Sequence, residues 1–150
     1  MTGPLKRIWD SLTSTARIDP TEHGLNISPN RVESLGYALA GWLYMLRHQK
    51  NTRIMSVASV VILVVGLWLQ VSLQDWAVLV LTITMVWMAE FLNAAVEAVV
   101  NLVTREFHPM AKVAKDVAAA AVLLGVVASV LVGLLILGPL LLVRLGIVIP

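Results

Sequence analysis

Three stretches of this chain are almost free of charge, and they decide what it can fold into. Ile54 to Gln74 contains no Asp, Glu, Lys or Arg. Trp76 to Val103 contains only Glu90 and Glu97, and Val117 to Val143 contains none. A helix needs roughly 20 apolar residues to cross the hydrocarbon of a bilayer, so each stretch is long enough. Only 13% of the 150 residues are charged, about half the share usual in a soluble domain. One small water-soluble core could not hide so much apolar chain. Lipid offers backbone groups no hydrogen bonds, which leaves helices or a closed barrel. The runs lack the alternation of a barrel strand. The expected fold is an all-α integral membrane protein with spans at about 54–73, 76–103 and 117–143.

The basic residues predict its orientation. Lys6, Arg7, Arg17, Arg31, Arg47, Lys50 and Arg53 precede the first span. Arg105, Lys112 and Lys115 lie between the second and third, while the connection from Gln70 to Asp75 has none. The positive-inside rule then places the N-terminus in the cytoplasm and the C-terminus outside. Residues 1–30 are polar, with Pro4, Pro20 and Pro29, and read as a flexible cytoplasmic tail preceding a membrane domain over 31–150. Its opening is too polar for a signal peptide. From Arg31 to about Lys50, Val32, Leu35, Leu39, Trp42, Leu43 and Leu46 recur at spacings of three and four. This predicts an N-terminal amphipathic interfacial helix flanked by Arg31, Arg47 and Lys50. Gly125 and Gly133 suggest close packing of the third span, and Gly138-Pro139 predicts a kink or an end to it.

Several functions are excluded early. Without cysteine there is no thiol metal site or disulfide. A net charge of +2 gives no footprint for nucleic acid. The chain has no P-loop, no protein-kinase signature and no H-E-x-x-H zinc motif. His23, His48 and His108 are isolated, and as residues they read as solvated or interfacial.

Glu90, Asn93, Glu97 and Asn101 are another matter. At helical spacing they share one face of the second span. A carboxylate at membrane depth costs on the order of 2.5–3.5 kcal/mol, and such groups usually mark function. Polar glue between helices is the plain alternative. Paired carboxylates can bind a divalent cation or act as a general base. With Arg53, Arg105, Lys112 and Lys115 at the inner surface, they suit an anionic, metal-chelated substrate such as a nucleotide. An ion or proton carrier using Glu90 and Glu97 is an alternative, but the outer halves of spans two and three offer it only Thr82, Thr84 and Ser129. A structural membrane subunit is another.

The run from Glu90 to Val100 (EFLNAAVEAVV), then Glu106-Phe107-His108-Pro109, then Ala111 to Asp116 (AKVAKD), resembles the signature of the small prokaryotic lipid kinases, the diacylglycerol kinase and undecaprenol kinase family. The likeness extends from about Arg31 to Leu142. It implies a homotrimer of three-span subunits in the bacterial cytoplasmic membrane, with a surface helix and active sites shared between neighbours. It also implies transfer of the ATP γ-phosphoryl group to a lipid hydroxyl, with Mg²⁺ as cofactor. By this resemblance Glu90 is the general base and Glu97 the Mg²⁺ ligand. Asn93 lines the site between them, Lys115 and Asp116 lie near the nucleotide, and Glu106 and His108 match loop positions close to it. Arg53 and Gln49 complete the candidates for substrate and ATP binding. Gln49 stands where the enterobacterial pattern has a metal-binding glutamate, and Asn101 where it has an aspartate. Amide oxygens still ligate Mg²⁺, so weaker metal binding or a catalytically weakened homologue is the expected consequence. The loop looks closer to the undecaprenol kinase branch, and the acceptor stays open between undecaprenol and diacylglycerol.

Overall fold

A computed structural model describes residues 31–147, all helices and short connections. The expected tail over 1–30 lies outside the described residues. Four helices follow in order: α1 (Arg31–His48), α2 (Lys50–Trp68), α3 (Leu73–Val103) and α4 (Pro109–Arg144). The last three are each long and apolar enough to cross a membrane. At about 1.5 Å per residue, α3 and α4 run for roughly 46 and 54 Å, well beyond the ~30 Å of hydrocarbon. Their ends therefore extend past the apolar layer, which matters for what those ends carry.

The helix boundaries follow local chemistry. α2 ends at Trp68, short of the expected residue 73, because Gln70 takes a left-handed backbone (φ 57°) in the turn to α3. Ser72 caps α3: its Oγ accepts from Asp75 N–H at 3.2 Å and donates to Asp75 Oδ2 at 2.7 Å. α4 begins two turns before the apolar run, at Pro109. His108 supplies the N-cap, and proline at the first helical position lacks only a donor that would have had no partner. The expected polar connection over 104–116 thus shortens to Thr104–His108, and both lysines sit on a helix. At the far end α4 runs through Pro139 to Arg144 rather than stopping there.

The buried apolar cluster gathers around the α2–α3 turn. Leu69, Val71 and Leu79 are buried, with Val65, Trp76, Ile136 and Leu140 packed against them. Gly66 belongs to this contact: a Cβ there would meet the Trp76 indole at 2.6 Å. The Arg144 guanidinium lies 5.7 Å from the Trp68 ring centroid, a cation–π contact. Midway along, Trp87 Nε1 donates to Ser59 Oγ at 3.2 Å and ties α3 to α2. Of the two glycines expected to pack span three, Gly125 meets Val86 on α3, while Gly133 faces open space. No residue of α4 is buried, and Leu123, Leu124, Val127 and Leu131 are exposed. Within the chain, then, apolar surface remains available for lipid or another subunit. On α1, Leu35, Leu39 and Leu43 of the expected apolar face are likewise exposed.

Candidate active site

The polar ladder of α3 grades from closed to open along the helix. Glu90 is 2% exposed and Asn93 9%, Glu97 is half-buried, and Asn101 is exposed. Two helical turns, about 10 Å of rise, separate Glu90 from Glu97. The two carboxylates therefore lie in different surroundings.

Glu90 and Asn93 line a cavity of about 350 Å³ with Asn51, Ile54, Met55, Ala119, Val122, Leu123 and Val126. Its wall is apolar apart from the ladder and Asn51. Glu90 Oε2 and Asn93 Oδ1 are buried there without a hydrogen-bond partner. An unpaired buried polar atom costs on the order of 1–3 kcal/mol. Stability alone would remove it, so a ligand that brings a donor is the economical reading. The other end of Asn93 is committed: its Nδ2 donates to Glu97 Oε1 at 3.4 Å. Thr52, wholly buried on α2, also keeps an unpartnered hydroxyl.

At the open end lies a second cavity, of about 790 Å³. Seven polar residues named from the sequence meet in it: Asn101, Arg105, Glu106, His108, Lys112, Lys115 and Asp116. Phe107 joins them. Lys115 Nζ donates to Asn101 Oδ1 at 2.8 Å, linking α4 to the ladder of α3. Its partner there is a neutral amide, so this contact sets no anion against the Lys115 ammonium. Lys112 pairs with Asp116, one turn further along α4. With Arg105, Lys112 and Lys115 against Glu106 and Asp116, cations exceed anions by one at this mouth.

Two expected site residues, Arg53 and Gln49, line neither of these cavities. The Arg53 guanidinium closes the end of α1, its Nε donating to Leu46 O at 3.2 Å and its Nη2 to Arg47 O at 2.8 Å. Gln49 occupies the N-cap position of α2 but makes no side-chain capping bond. Among the described residues no three His, Cys, Asp or Glu side chains gather as a metal cluster. The side chain whose chemistry fits Mg²⁺ is the half-buried Glu97 carboxylate. This suits a cation that takes one or two carboxylates and relies on substrate phosphates for the rest. Asn51 and Thr104 were not singled out from the sequence. Asn51 lies outside any periodic polar pattern, whereas Thr104, two residues before Glu106 at the end of an apolar run, carried a readable turn signal.

Fold and site together define a helical membrane protein with a buried carboxylate facing an apolar cavity and a cationic mouth at the α3–α4 connection. Residues 36–137 match the family model for prokaryotic diacylglycerol kinase. The chain belongs to that family. It is 43% identical over 108 residues to a diacylglycerol kinase of Synechocystis, covering 71% of this chain and 62% of that protein's length. It is 38% identical over 93 residues to an undecaprenol kinase of Bacillus subtilis, covering 62% of this chain and 76% of the relative. With the diacylglycerol kinase of Escherichia coli K12 the identity is 30% over 100 residues, covering 67% and 82%.

Proposed function

We propose that this protein is a lipid kinase of the bacterial cytoplasmic membrane that moves the γ-phosphoryl group of ATP onto the hydroxyl of a membrane lipid. The observation that carries the reading is Glu90: a buried carboxylate with a free oxygen, in an apolar cavity, on the ladder that leads to a cationic mouth. The names of the relatives, diacylglycerol kinase and undecaprenol kinase, supply the two acceptor classes.

In this reading the acceptor enters the 350 Å³ cavity with its hydroxyl toward Glu90 Oε2. The lipid oxygen attacks the γ-phosphorus as its proton passes to Glu90. The bond from that phosphorus to the β–γ bridging oxygen breaks, and ADP leaves with the electron pair. Such transfer depends mainly on positioning and on neutralising spread negative charge. Lys115, Arg105 and Lys112 supply cations at the mouth, with Glu106 and Asp116 around the nucleotide and His108 at the start of α4. Glu97 would hold Mg²⁺, and Gln49 is a further, weak candidate. The ion neutralises phosphate charge when bound. Asn93 links the two halves by holding Glu97 while facing the acceptor.

The same reading places the N-terminus and the Thr104–His108 loop in the cytoplasm, where ATP is found, and the C-terminus outside. α1 lies on the inner leaflet, and the uncovered faces of the spans serve a homotrimer. The test is to incubate purified protein in micelles with Mg²⁺, γ-labelled ATP and either diacylglycerol or a polyprenol. Label in one of the two lipids is expected. No label in either, with another family member active alongside, would refute the proposal. Ion flux into liposomes without ATP would favour a carrier instead.

A further inference from the structure

The five residues joining α3 to α4 are fastened at both ends by side chains. Thr104 closes α3: its N–H donates to Val100 O, and its hydroxyl both accepts from Glu106 N–H and donates to Glu106 O, each at 3.1 Å. His108 opens α4 from an extended backbone (φ −132°, ψ 128°), and its Nδ1 accepts from Met110 N–H at 3.2 Å. Lys112 N–H then makes the first helical bond back to His108 O. Between these fastenings Arg105, Glu106 and Phe107 face the 790 Å³ cavity, and one to two turns beyond them stand Lys112 and Lys115.

We propose that Thr104 and His108 are positioning residues for the nucleotide: they hold the loop and set the start of α4, so that Arg105, Glu106 and Lys115 converge. His108 acts through the backbone of α4. Its Nδ1 lone pair is spent on Met110, the second residue of the helix, as a capping oxygen would be. The hydroxyl of Thr104 does the equivalent for the turn through Glu106. Neither residue need touch ATP to decide how well it binds. This rests on the lipid-kinase reading for its effect on ATP, but the capping itself is a property of the folded chain.

The test uses the full chain in micelles, with steady-state kinetics and amide hydrogen exchange across residues 105–112. His108→Ala should raise the KM for ATP about fivefold and leave the KM for the lipid unchanged. Exchange at the start of α4 should quicken about fivefold, the equivalent of about 1 kcal/mol of lost capping at 1.4 kcal/mol per tenfold. Asparagine, a good cap with no imidazole, should bring both within about twofold of the parent in His108→Asn. Thr104→Val should raise the ATP KM similarly, and Thr104→Ser should restore it. If His108→Asn restores exchange but not the KM, the imidazole is a direct ligand and the proposal falls. It also falls if His108→Ala changes neither readout. If the parent protein transfers no phosphate, the kinase reading fails, and exchange alone then judges the caps: faster in His108→Ala and restored in His108→Asn sustains them, no change overturns them.

Discussion

Replacing Glu90 by glutamine removes the proposed base and almost nothing else. The side chain is 2% exposed, so no bulk water stands ready to take the proton in its place. Glutamine keeps the shape, so the 350 Å³ cavity and its neighbours Met55 and Ala119 are undisturbed. General-base catalysis contributes about 10²- to 10⁴-fold, equivalent to roughly 2.7–5.4 kcal/mol of activation free energy at 1.36 kcal/mol per tenfold. Glu90→Gln should therefore lower kcat by at least about 100-fold. The KM for ATP should stay within about twofold, because Glu90 lines the acceptor cavity and not the nucleotide mouth. Thermal stability should hold or rise, since a buried carboxylate oxygen without a partner gives way to a neutral amide. Label transfer from ATP to lipid in micelles, with a melting curve on the same preparation, reads all three. A variant that keeps more than a tenth of parental kcat would refute the assignment of the base. One that loses activity by unfolding would show that Glu90 is structural glue.

Other expectations follow from single contacts. Asn101→Asp turns the Lys115 hydrogen bond into an exposed ion pair worth under about 1 kcal/mol; kcat should be retained or raised, and a fall beyond tenfold would mean the open end of the ladder has been misread. Lys115→Met should raise the ATP KM at least tenfold with little effect on the lipid KM, measured by varying each substrate in turn. Gly66→Ala drives a methyl into the Trp76 ring at 2.6 Å and should cost about 1–3 kcal/mol by overpacking, seen as a lower unfolding temperature in micelles. Arg53→Ala frees two carbonyls at the end of α1 and should cost about 1 kcal/mol in the same assay.

Much of this molecule was legible before any fold was built, and the exceptions share a cause. The three apolar runs dictate membrane helices because lipid leaves the backbone no other partner. The spacing of Glu90, Asn93, Glu97 and Asn101 dictates one shared face because a helix has a fixed period. Covalent geometry and solvent decide both. What the sequence could not reveal depends on atoms brought together from separate elements. That Glu90 is buried and Asn101 open follows from where α2 and α4 lie against α3. That Lys115 reaches Asn101, fourteen residues before it, follows from α4 starting at Pro109. Arg53 reads as a free cation in the chain, yet two backbone carbonyls of the preceding helix claim its guanidinium. His108 looks isolated in the sequence, and only the folded turn gives its Nδ1 the Met110 amide. Residue type and spacing are properties of the chain, whereas burial and hydrogen-bond partnership depend on distance in space, which tertiary packing alone sets.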